Sequence, residues 1–370
     1  MSRPRLAILV SFSGQGGVER MIANLATAMV EMGIDVDLLL IKYRGPHIAA
    51  LPAGARHIPL RTQHTATSVF EVARYLRRER PDALLAVKHR AIIAALRARK
   101  LARTDTPMGG RLGTTVSAAL ASSSRLRRRN WYGAMRRFYP QLQAIVAVSE
   151  GVADDIRQVT GLNLPALQVI RNPVVTDSLL DQSEAPVDHP FFHQDDAPVI
   201  LGAGRLTRQK DFPTLLRAFA QVCSKRDARL VILGDGGDRE ALIHQAQALG
   251  ISDKFALPGF RDNPWCWMRR ANVFVLSSRW EGSPNSLTEA MALGTPVVST
   301  DCPSGPRELL DDGKIAPLVA MGDDAAMALA IESMLDTPPP RDTLRAAVAE
   351  YHAATSAMAY LKALGIATGH

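Results

Sequence analysis

Two glutamates eight positions apart, Glu281 and Glu289, lie around the predicted start of one helix. The pattern predicts that this helix opens after Pro284, with Asn285 or Ser286 as its N-cap. An open helix end offers free backbone N–H groups and partial positive charge, which favour a phosphate. Acids are also common near helix starts for purely structural reasons. Carboxylates on both sides of such an end nevertheless indicate a phosphorylated, polyhydroxylated ligand.

The whole stretch EGSPNSLTEAMALGTPVVS, residues 281–299, closely resembles the signature of glycosyltransferase family 4, which comprises retaining enzymes of the GT-B architecture. The resemblance implies that Glu281 faces the donor sugar and that Glu289 holds the ribose hydroxyls of a nucleotide-sugar. It also implies donor contacts from the loop and first helical turn between these acids: Ser283, Pro284, Asn285, Ser286 and Leu287.

A second segment, GRLTRQKDFPTLLRAFAQV from Gly204, carries two cations directly after a buried strand. Arg205 and Lys210 could both reach a diphosphate from this position, although a solvated loop would explain them in a generic chain. The segment resembles the family pattern GRLxxxKxxxxLLxAF. This implies that Arg205, Lys210 and Glu281 form the catalytic set and that Gly204 lies at the donor. Three further positions are assigned to the donor by resemblance: Gly234, Phe260 and Arg261.

The N-terminal half contributes weaker signals. The turn SGQGGVER includes Gly16 and Gly17, but Glu19 replaces the third glycine of a dinucleotide fingerprint. It resembles the family loop near the donor phosphates and the acceptor. His89 follows a strand at its carboxyl end, and Ser117 directly follows the predicted strand 111–116, at a position where many family members have histidine. Both are candidate sugar or acceptor contacts.

Strand and helix patterns alternate throughout, which predicts α/β architecture with two parallel sheets. The resemblance implies a GT-B fold of two Rossmann-like domains facing across a cleft. We expect an acceptor domain over 1–175, a linker over 176–197, a donor domain over 198–342 and a C-terminal helix over 343–370 that returns to the first domain. The predicted strands are 5–12, 35–41, 57–60, 83–87, 111–116, 144–149, 199–204, 228–234, 254–259, 273–278, 296–300 and 316–319.

Composition favours a cytoplasmic globular protein. The chain has 370 residues, 47% of them hydrophobic, and no apolar run approaches the ~18 residues that span a bilayer. The short run LAILVSF predicts a first strand and not a signal peptide. The three cysteines show neither metal-ligand spacing nor a disulfide framework. We therefore expect no metal and no cofactor apart from the donor substrate.

The net charge of +8 is concentrated in residues 74–137, which hold seventeen Lys and Arg against three acids. Within this region, Arg125 to Arg137 mixes arginines with aromatic residues. Such a helix suits an anionic membrane surface, so we expect peripheral docking on the inner face of the cytoplasmic membrane. A solvated helix whose aromatics pack inward is the alternative. No nucleic-acid motif accompanies the charge, and nucleic acid is not expected as a partner.

The predicted reaction is metal-independent transfer of a sugar from a nucleotide-sugar to a glycan or lipid-linked acceptor, with retention. A UDP-sugar is favoured over GDP-mannose. The segment from Thr300, TDCPSGPRELLDDGKIAPLV, resembles bacterial surface-polysaccharide and lipid-linked glycan transferases. Three alternatives remain: a glycoside hydrolase, a GT-B sugar-nucleotide epimerase, and a nucleotide-sugar-binding protein with a degenerate site.

Overall fold

The computed structural model describes residues 3–12, 17–43, 48–193 and 197–367. The chain forms two compact units. The first consists of Met1–Val174 and Tyr351–His370, and the second of Val175–Glu350. Each unit contains one parallel sheet with helices packed on it, as the alternating pattern predicts.

The sheet of the first unit has seven strands in the order β3-β2-β1-β4-β5-β6-β7. Its central strands are continuous apolar runs because both faces of the sheet are covered. In β1, all residues from Leu6 to Val10 are fully buried. The strands are β1 (Arg5–Phe12), β2 (Asp35–Tyr43), β3 (Arg56–Pro59), β4 (Ala83–Val87), β5 (Met108–Leu112), β6 (Ala144–Ala147) and β7 (Leu167–Val169).

Helices cover both faces of this sheet. In the part of the chain that precedes the second unit, the structure describes the helices α1 (Gly17–Glu31), α2 (Val69–Glu79), α3 (His89–Ala102), α4 (Val116–Ala119), α5 (Arg125–Phe138) and α6 (Glu150–Thr160). Helices α2, α3, α5 and α6 contribute to the core on one face. Helix α1 packs on the opposite face.

The sheet of the second unit has six strands in the order β10-β9-β8-β11-β12-β13. The strands are β8 (Val199–Ala203), β9 (Arg229–Leu233), β10 (Phe255–Gly259), β11 (Val273–Leu276), β12 (Val297–Thr300) and β13 (Leu318–Val319). The helices are α7 (Asp177–Ser183), α8 (Phe212–Cys223), α9 (Arg239–Ala248), α10 (Trp265–Arg270), α11 (Asn285–Ala292), α12 (Pro306–Leu309), α13 (Asp324–Asp336) and α14 (Arg341–Ala346). Helices α8 and α13 pack together on one face.

The C-terminal helix α15 (Ala353–Ala363) packs on α1, which confirms the predicted return to the first unit. The C-terminal helix expected over 343–370 is not continuous, however. It breaks between α14 and α15, where the Tyr351 carbonyl accepts a hydrogen bond from the Val174 N–H at 2.9 Å. Helix α14 contacts α11 instead. The break occurs where the chain passes from the second unit back to the first.

Three other local assignments differ from the sequence prediction. The strand expected at 111–116 is β5, which ends at Leu112, and Ser117 lies in α4. The Asp155 carboxylate accepts hydrogen bonds from the Val116 and Ser117 N–H groups, which favours helix over strand there. The segment 176–197 contains α7, a helix too short for periodicity to reveal. Strand β7 has three residues and was likewise not predicted.

Within the described residues, no helix has both the length and the apolar character needed to cross a bilayer.

Candidate active site

Glycines line the carboxyl ends of three adjacent strands in the second unit. Gly204, Gly234 and Gly259 follow or end β8, β9 and β10, and all three have positive φ. The Gly204 N–H donates to the Leu233 carbonyl, and the Gly234 N–H donates to the Gly259 carbonyl, both at 2.9 Å. A Cβ on Gly234 would lie 2.0 Å from the Gly204 carbonyl oxygen. Only glycine fits there, so the sheet edge presents bare backbone.

Lys210 lies against this glycine edge. A Cβ on Gly204 would be 2.8 Å from its Cε, so the lysine chain runs directly over that backbone. The Lys210 Nζ donates to the Glu281 Oε1 at 2.6 Å, and the Ser278 hydroxyl donates to the same oxygen at 2.6 Å. The Lys210 and Glu281 side chains are only 18% and 9% exposed. The structure thus brings together two of the three predicted catalytic residues.

Two serines that directly follow β11 hold this pair in place. The Ser277 hydroxyl donates to the Lys210 carbonyl at 2.7 Å, while Ser278 binds Glu281. The Ser278 carbonyl accepts a hydrogen bond from the Thr300 hydroxyl at 2.6 Å. Sequence reasoning missed these serines because they were counted within the strand 273–278. Two hydroxyls at the carboxyl end of an otherwise apolar strand were the available signal.

The third predicted catalytic residue, Arg205, is exposed in the same loop as Lys210. Within the described part of the chain, its guanidinium forms no ion pair with a carboxylate. Its neighbour Arg208 is likewise exposed, so exposure by itself does not distinguish the two.

Helix α11 begins at Asn285, with Pro284 in the N-cap position and no side-chain cap. The expectation that Asn285 or Ser286 caps the helix is therefore wrong. The Asn285 N–H donates to the Ser283 carbonyl, and the Leu287 N–H donates to the Pro284 carbonyl, both at 3.0 Å. These turn bonds occupy two of the N–H groups expected to be open. Among the described residues, none accepts a hydrogen bond from the Ser286 N–H.

The loop before α11 packs against a second loop that follows β12. The Glu281 N–H donates to the Pro303 carbonyl at 3.4 Å, and a Cβ on Gly305 would lie 2.7 Å from the Pro284 Cδ. The Ser283 hydroxyl is buried between these segments and has no hydrogen-bond partner among the described residues. A buried hydroxyl of this kind is rare unless a ligand or water satisfies it.

The remaining donor candidates of α11 differ in burial. Leu287 is fully buried and packs in the core, as its helical spacing predicts. Glu289 is also buried, one turn beyond the start of the helix. A buried carboxylate requires polar partners, which distinguishes it from the acids that merely favour helix starts.

Two of the predicted donor contacts follow β10. The Phe260 N–H donates to the Asp235 Oδ2 at 3.3 Å, and the Phe260 side chain is half-buried. Arg261 is exposed, and its guanidinium carbon lies 5.8 Å from the ring centroid of Trp267. Trp265 and Trp267 are buried, as expected for packing residues.

The candidates of the first unit are not all brought together. Gly17 begins α1, and Gly16 lies outside the described residues. Ser117 is exposed in α4, with its N–H bound to Asp155. His89 is buried at the start of α3 and lines an open groove that Ser117 does not line.

His89 is held by two aromatic residues. Its Nδ1 lies 3.0 Å from the Tyr139 hydroxyl, and its ring stacks on Trp131 with centroids 4.3 Å apart. Burial, together with the nearby Arg90 cation, lowers the pKa of His89 to about 4. The imidazole is therefore neutral at pH 7.

The described residues contain no group of three or more His, Cys, Asp or Glu side chains arranged to hold a metal ion.

Comparisons with known proteins agree with this architecture. The family model Glycosyltransferase Family 4 matches residues 15–178, and the model Glycosyl transferases group 1 matches residues 187–351. The chain is 27% identical to the lipopolysaccharide core biosynthesis glycosyltransferase LpsE of Rhizobium meliloti over 337 residues, which is 88% of this chain and 87% of that protein.

It is also 26% identical, over 90% of each chain, to the Campylobacter jejuni enzyme named N-acetylgalactosamine-N,N'-diacetylbacillosaminyl-diphospho-undecaprenol 4-alpha-N-acetylgalactosaminyltransferase. Among solved structures, a glycosyltransferase from Rickettsia africae superposes with a TM-score of 0.81 at 14% identity, covering 98% of each chain. Anabaena HepE in complex with UDP-glucose superposes with a TM-score of 0.79 at 19% identity, covering 98% of this chain and 99% of that one.

The two family models together match most of the chain, and the two parallel sheets reproduce the fold of the solved relatives. The chain therefore belongs to glycosyltransferase family 4, the retaining, nucleotide-sugar-dependent transferases with the GT-B fold.

Proposed function

We propose that this chain transfers a sugar from a UDP-sugar, with GDP-mannose as the second choice, to a glycan or lipid-linked acceptor. The transfer takes place in the assembly of a bacterial surface polysaccharide or glycoconjugate. The observation that carries the proposal is the Lys210–Glu281 pair beside the glycines Gly204 and Gly234. An ammonium, a carboxylate and bare backbone meet at the carboxyl ends of parallel strands, which is where open α/β sheets bind ligands. We assign donor binding to the second unit and acceptor binding to the first.

Lys210 and Arg205 bind the donor diphosphate. An ammonium has three N–H donors, and Glu281 occupies one of those of Lys210, so two remain for phosphate oxygens. Arg205 adds an exposed guanidinium from the same loop. Because negative charge accumulates on the diphosphate as the sugar leaves, preorganised cations lower the barrier of this step.

The start of α11 completes the phosphate site. The Ser286 N–H and the buried Ser283 hydroxyl are two donors without partners among the described residues. A helix N-terminus favours an anion through its free N–H groups and its dipole. We assign the distal phosphate of the donor to these two groups, with Asn285 and Leu287 shaping the turn that presents them.

The two glutamates then take separate roles. Glu281 accepts hydrogen bonds from hydroxyls of the transferred sugar while it fixes Lys210, and Glu289 accepts hydrogen bonds from the ribose. During transfer, an acceptor hydroxyl oxygen bonds to the anomeric carbon on the face that the diphosphate leaves. The sugar–phosphate bond breaks, its electron pair goes to the phosphate oxygen, and the hydroxyl proton passes to the departing diphosphate. Configuration is retained.

Alanine substitutions test these roles. We expect Arg205→Ala to lower kcat strongly and Glu289→Ala mainly to weaken nucleotide binding. Loss of one charge-stabilising donor at such a site typically costs about 10²–10³ in kcat. Arg208→Ala is the matched control, because it removes an exposed arginine from the same loop. Release of nucleoside diphosphate in the presence of acceptor is the readout. Unchanged turnover in Arg205→Ala would remove the leaving-group assignment.

The choice of a UDP-sugar has support from relatives. Anabaena HepE was solved with UDP and with UDP-glucose. A thermal-shift panel of UDP-sugars, GDP-mannose, UDP and GDP tests the base. A ligand present at 100 times its Kd stabilises the folded protein by about 2.7 kcal/mol. Greater stabilisation by GDP than by UDP at equal concentration would reverse the assignment.

The acceptor class also has support from relatives, which include a lipopolysaccharide core transferase and an enzyme named for a diphospho-undecaprenol acceptor. Charge supports docking of the first unit on an anionic membrane. Five arginines of α5 are exposed: Arg125, Arg127, Arg129, Arg136 and Arg137. The aromatics Trp131, Tyr132 and Phe138 pack partly against the core, so the arginines and not the rings provide the attraction.

Cosedimentation with liposomes of phosphatidylcholine and phosphatidylglycerol tests this docking. We expect binding at low salt that weakens as salt screens the charges. Liposomes of phosphatidylcholine alone are the control. Failure to bind the anionic liposomes at either low or moderate salt would discard membrane docking and leave the donor chemistry untouched.

A further inference from the structure

An open groove of about 500 Å³ lies between α3 and α5 in the first unit. His89 and Arg90 reach it from the carboxyl end of β4, and Arg127, Asn130 and Trp131 reach it from α5. This is the edge of a parallel sheet at which ligands bind in open α/β folds. All the residues that line the groove belong to the first unit.

The groove presents polar side chains that form no ion pair or hydrogen bond with the described residues. Among the described residues, none forms an ion pair with Arg90 or Arg127, and none bonds to the Asn130 amide. The Arg90 guanidinium lies 5.9 Å from the Trp131 ring centroid. No carboxylate is among the described residues that line the groove. Two uncompensated guanidinium groups favour an anion, and the planar fork of arginine matches the oxygen atoms of a phosphate.

The tautomer of His89 follows from its partner. Tyr139 is buried, and its hydroxyl has no other hydrogen-bond partner among the described residues. Buried hydroxyl protons are rarely left unpaired, so Tyr139 donates to the His89 Nδ1. The neutral imidazole then carries its proton on Nε2. His89 is therefore a hydrogen-bond donor in the groove and cannot serve there as a base.

We infer that this groove binds a phosphate-bearing saccharide, the acceptor of the reaction, with Arg90 and Arg127 on the phosphate and with His89 and Asn130 on the saccharide oxygens. The identification of this ligand as the acceptor rests on the proposed function. The binding chemistry is argued from the residues of the groove alone. Leu126, at the rim, is 68% exposed and offers an apolar contact beside the phosphate. A lipid-linked sugar and a soluble sugar phosphate share this chemistry.

Fluorine NMR of the full chain labelled with 5-fluorotryptophan tests the groove. The four tryptophans include Trp131 in the groove and Trp280, whose carbonyl binds Gln209 next to Lys210. Trp131→Phe and Trp280→Phe assign their resonances. We expect glucose 1-phosphate to shift the Trp131 resonance, with glucose or inorganic phosphate alone binding more weakly. UDP should shift Trp280, which reports the donor site independently.

Matched variants distinguish binding within the groove from diffuse electrostatic attraction to the arginines of α5. Arg127→Ala should raise the Kd of glucose 1-phosphate at Trp131 about tenfold, because a charge-assisted hydrogen bond is lost. Arg129→Ala removes the same charge from an exposed position of α5 outside the groove and should leave that Kd unchanged. Equal weakening by both variants would mean diffuse attraction and would overturn the site.

Nitrogen-15 NMR of labelled histidine tests the donor role of His89, with His89→Gln as the assignment. At pH 7 we expect a protonated Nε2 and an unprotonated Nδ1, and loss of this fixed pattern in Tyr139→Phe. A protonated Nδ1 in the wild type would refute the tautomer. This readout does not depend on activity or on the identity of the acceptor.

Vesicles distinguish the two sources of the ligand. Phosphatidylinositol carries a hydroxylated ring on a phosphate, so a lipid-borne acceptor predicts tighter binding to phosphatidylcholine vesicles containing it than to vesicles with the same fraction of phosphatidylglycerol. Glucose 1-phosphate should compete, and Arg127→Ala should lose the preference. Equal binding to both vesicles, with a Trp131 shift by free glucose 1-phosphate, assigns a soluble ligand to the groove. If glucose 1-phosphate leaves Trp131 unmoved up to its solubility limit while UDP moves Trp280, the groove inference fails and the donor proposal stands.

Discussion

The Lys210–Glu281 pair provides the sharpest test of the site. Its charged atoms lie 2.6 Å apart, and its side chains are 18% and 9% exposed. At an effective dielectric constant of about 20, the Coulomb attraction is about 6 kcal/mol before desolvation. Exposed ion pairs contribute about 0.2–1 kcal/mol to the free energy of unfolding, whereas removing one partner of a buried pair lowers it by about 3–5 kcal/mol. We therefore expect a coupling free energy of about 2 kcal/mol between the two side chains.

A double-mutant cycle with Lys210→Met and Glu281→Gln measures this coupling in urea unfolding. A Trp131→Phe background removes the tryptophan of the first unit, so that fluorescence follows Trp265, Trp267 and Trp280 of the second. We expect the destabilisations of the second unit by the two single variants to add up to more than the destabilisation by the double variant. The difference is the coupling free energy. The Ser278 hydroxyl remains to bond the residue at 281, which limits collapse of the site in Lys210→Met.

The matched control is the pair of Arg217 and Asp324 in the same unit, at 2.9 Å but with side chains 40% and 28% exposed. We expect its coupling to be about 0.5 kcal/mol. If the coupling between Lys210 and Glu281 does not exceed that of the control pair, burial does not strengthen the first pair. Glu281 would then not be the group that fixes Lys210 for the diphosphate.

Two further predictions concern the glycine edge and the buried histidine. Gly234→Ala should destabilise the second unit by about 3 kcal/mol or more, because its φ of 132° and a 2.0 Å approach to the Gly204 carbonyl exclude a Cβ. Gly237→Ala, where a Cβ meets nothing within 4 Å, is the control in the same loop, and similar losses in the two would contradict the clash. His89 has a folded pKa of about 4 against an ordinary value of 6.5, so the unfolded chain binds more protons between these pH values. Stability of the first unit should therefore fall by up to about 3 kcal/mol as pH drops from 6.5 to 4 and should be insensitive to this group above pH 6.5. His89→Gln should flatten that slope in urea unfolding followed by Trp131 fluorescence, and an unchanged slope would show that other groups cause it.

Sequence patterns predicted most of the fold. Buried parallel strands are continuous apolar runs, and such runs located β8 to β13 to within a few residues each. The prediction of a strand over 111–116 was wrong beyond Leu112 for a physical reason. The N–H groups of Val116 and Ser117 donate to the Asp155 carboxylate, which lies about forty positions away in sequence and on another helix.

The site was predicted in part. Glu281, Lys210 and the glycines were predicted as candidates because their segments closely resemble family motifs and because each follows a strand. The helix cap was predicted wrongly, since Pro284 and Ser283 use turn bonds that propensity alone does not reveal. The serines that hold Lys210 and Glu281 were missed, because they were counted as the last two residues of the predicted strand 273–278.

By itself, the sequence determined the residue types, the order of strands and helices, and the chemistry that those residues could perform. Tertiary structure decided which of them meet. It paired Lys210 with Glu281 across seventy-one positions of chain, and it placed Tyr139 against His89 across fifty. These pairings depend on which strands become neighbours and on how closely backbones approach at glycine. Contacts of that kind come from packing over long sequence separations, and no local pattern encodes them.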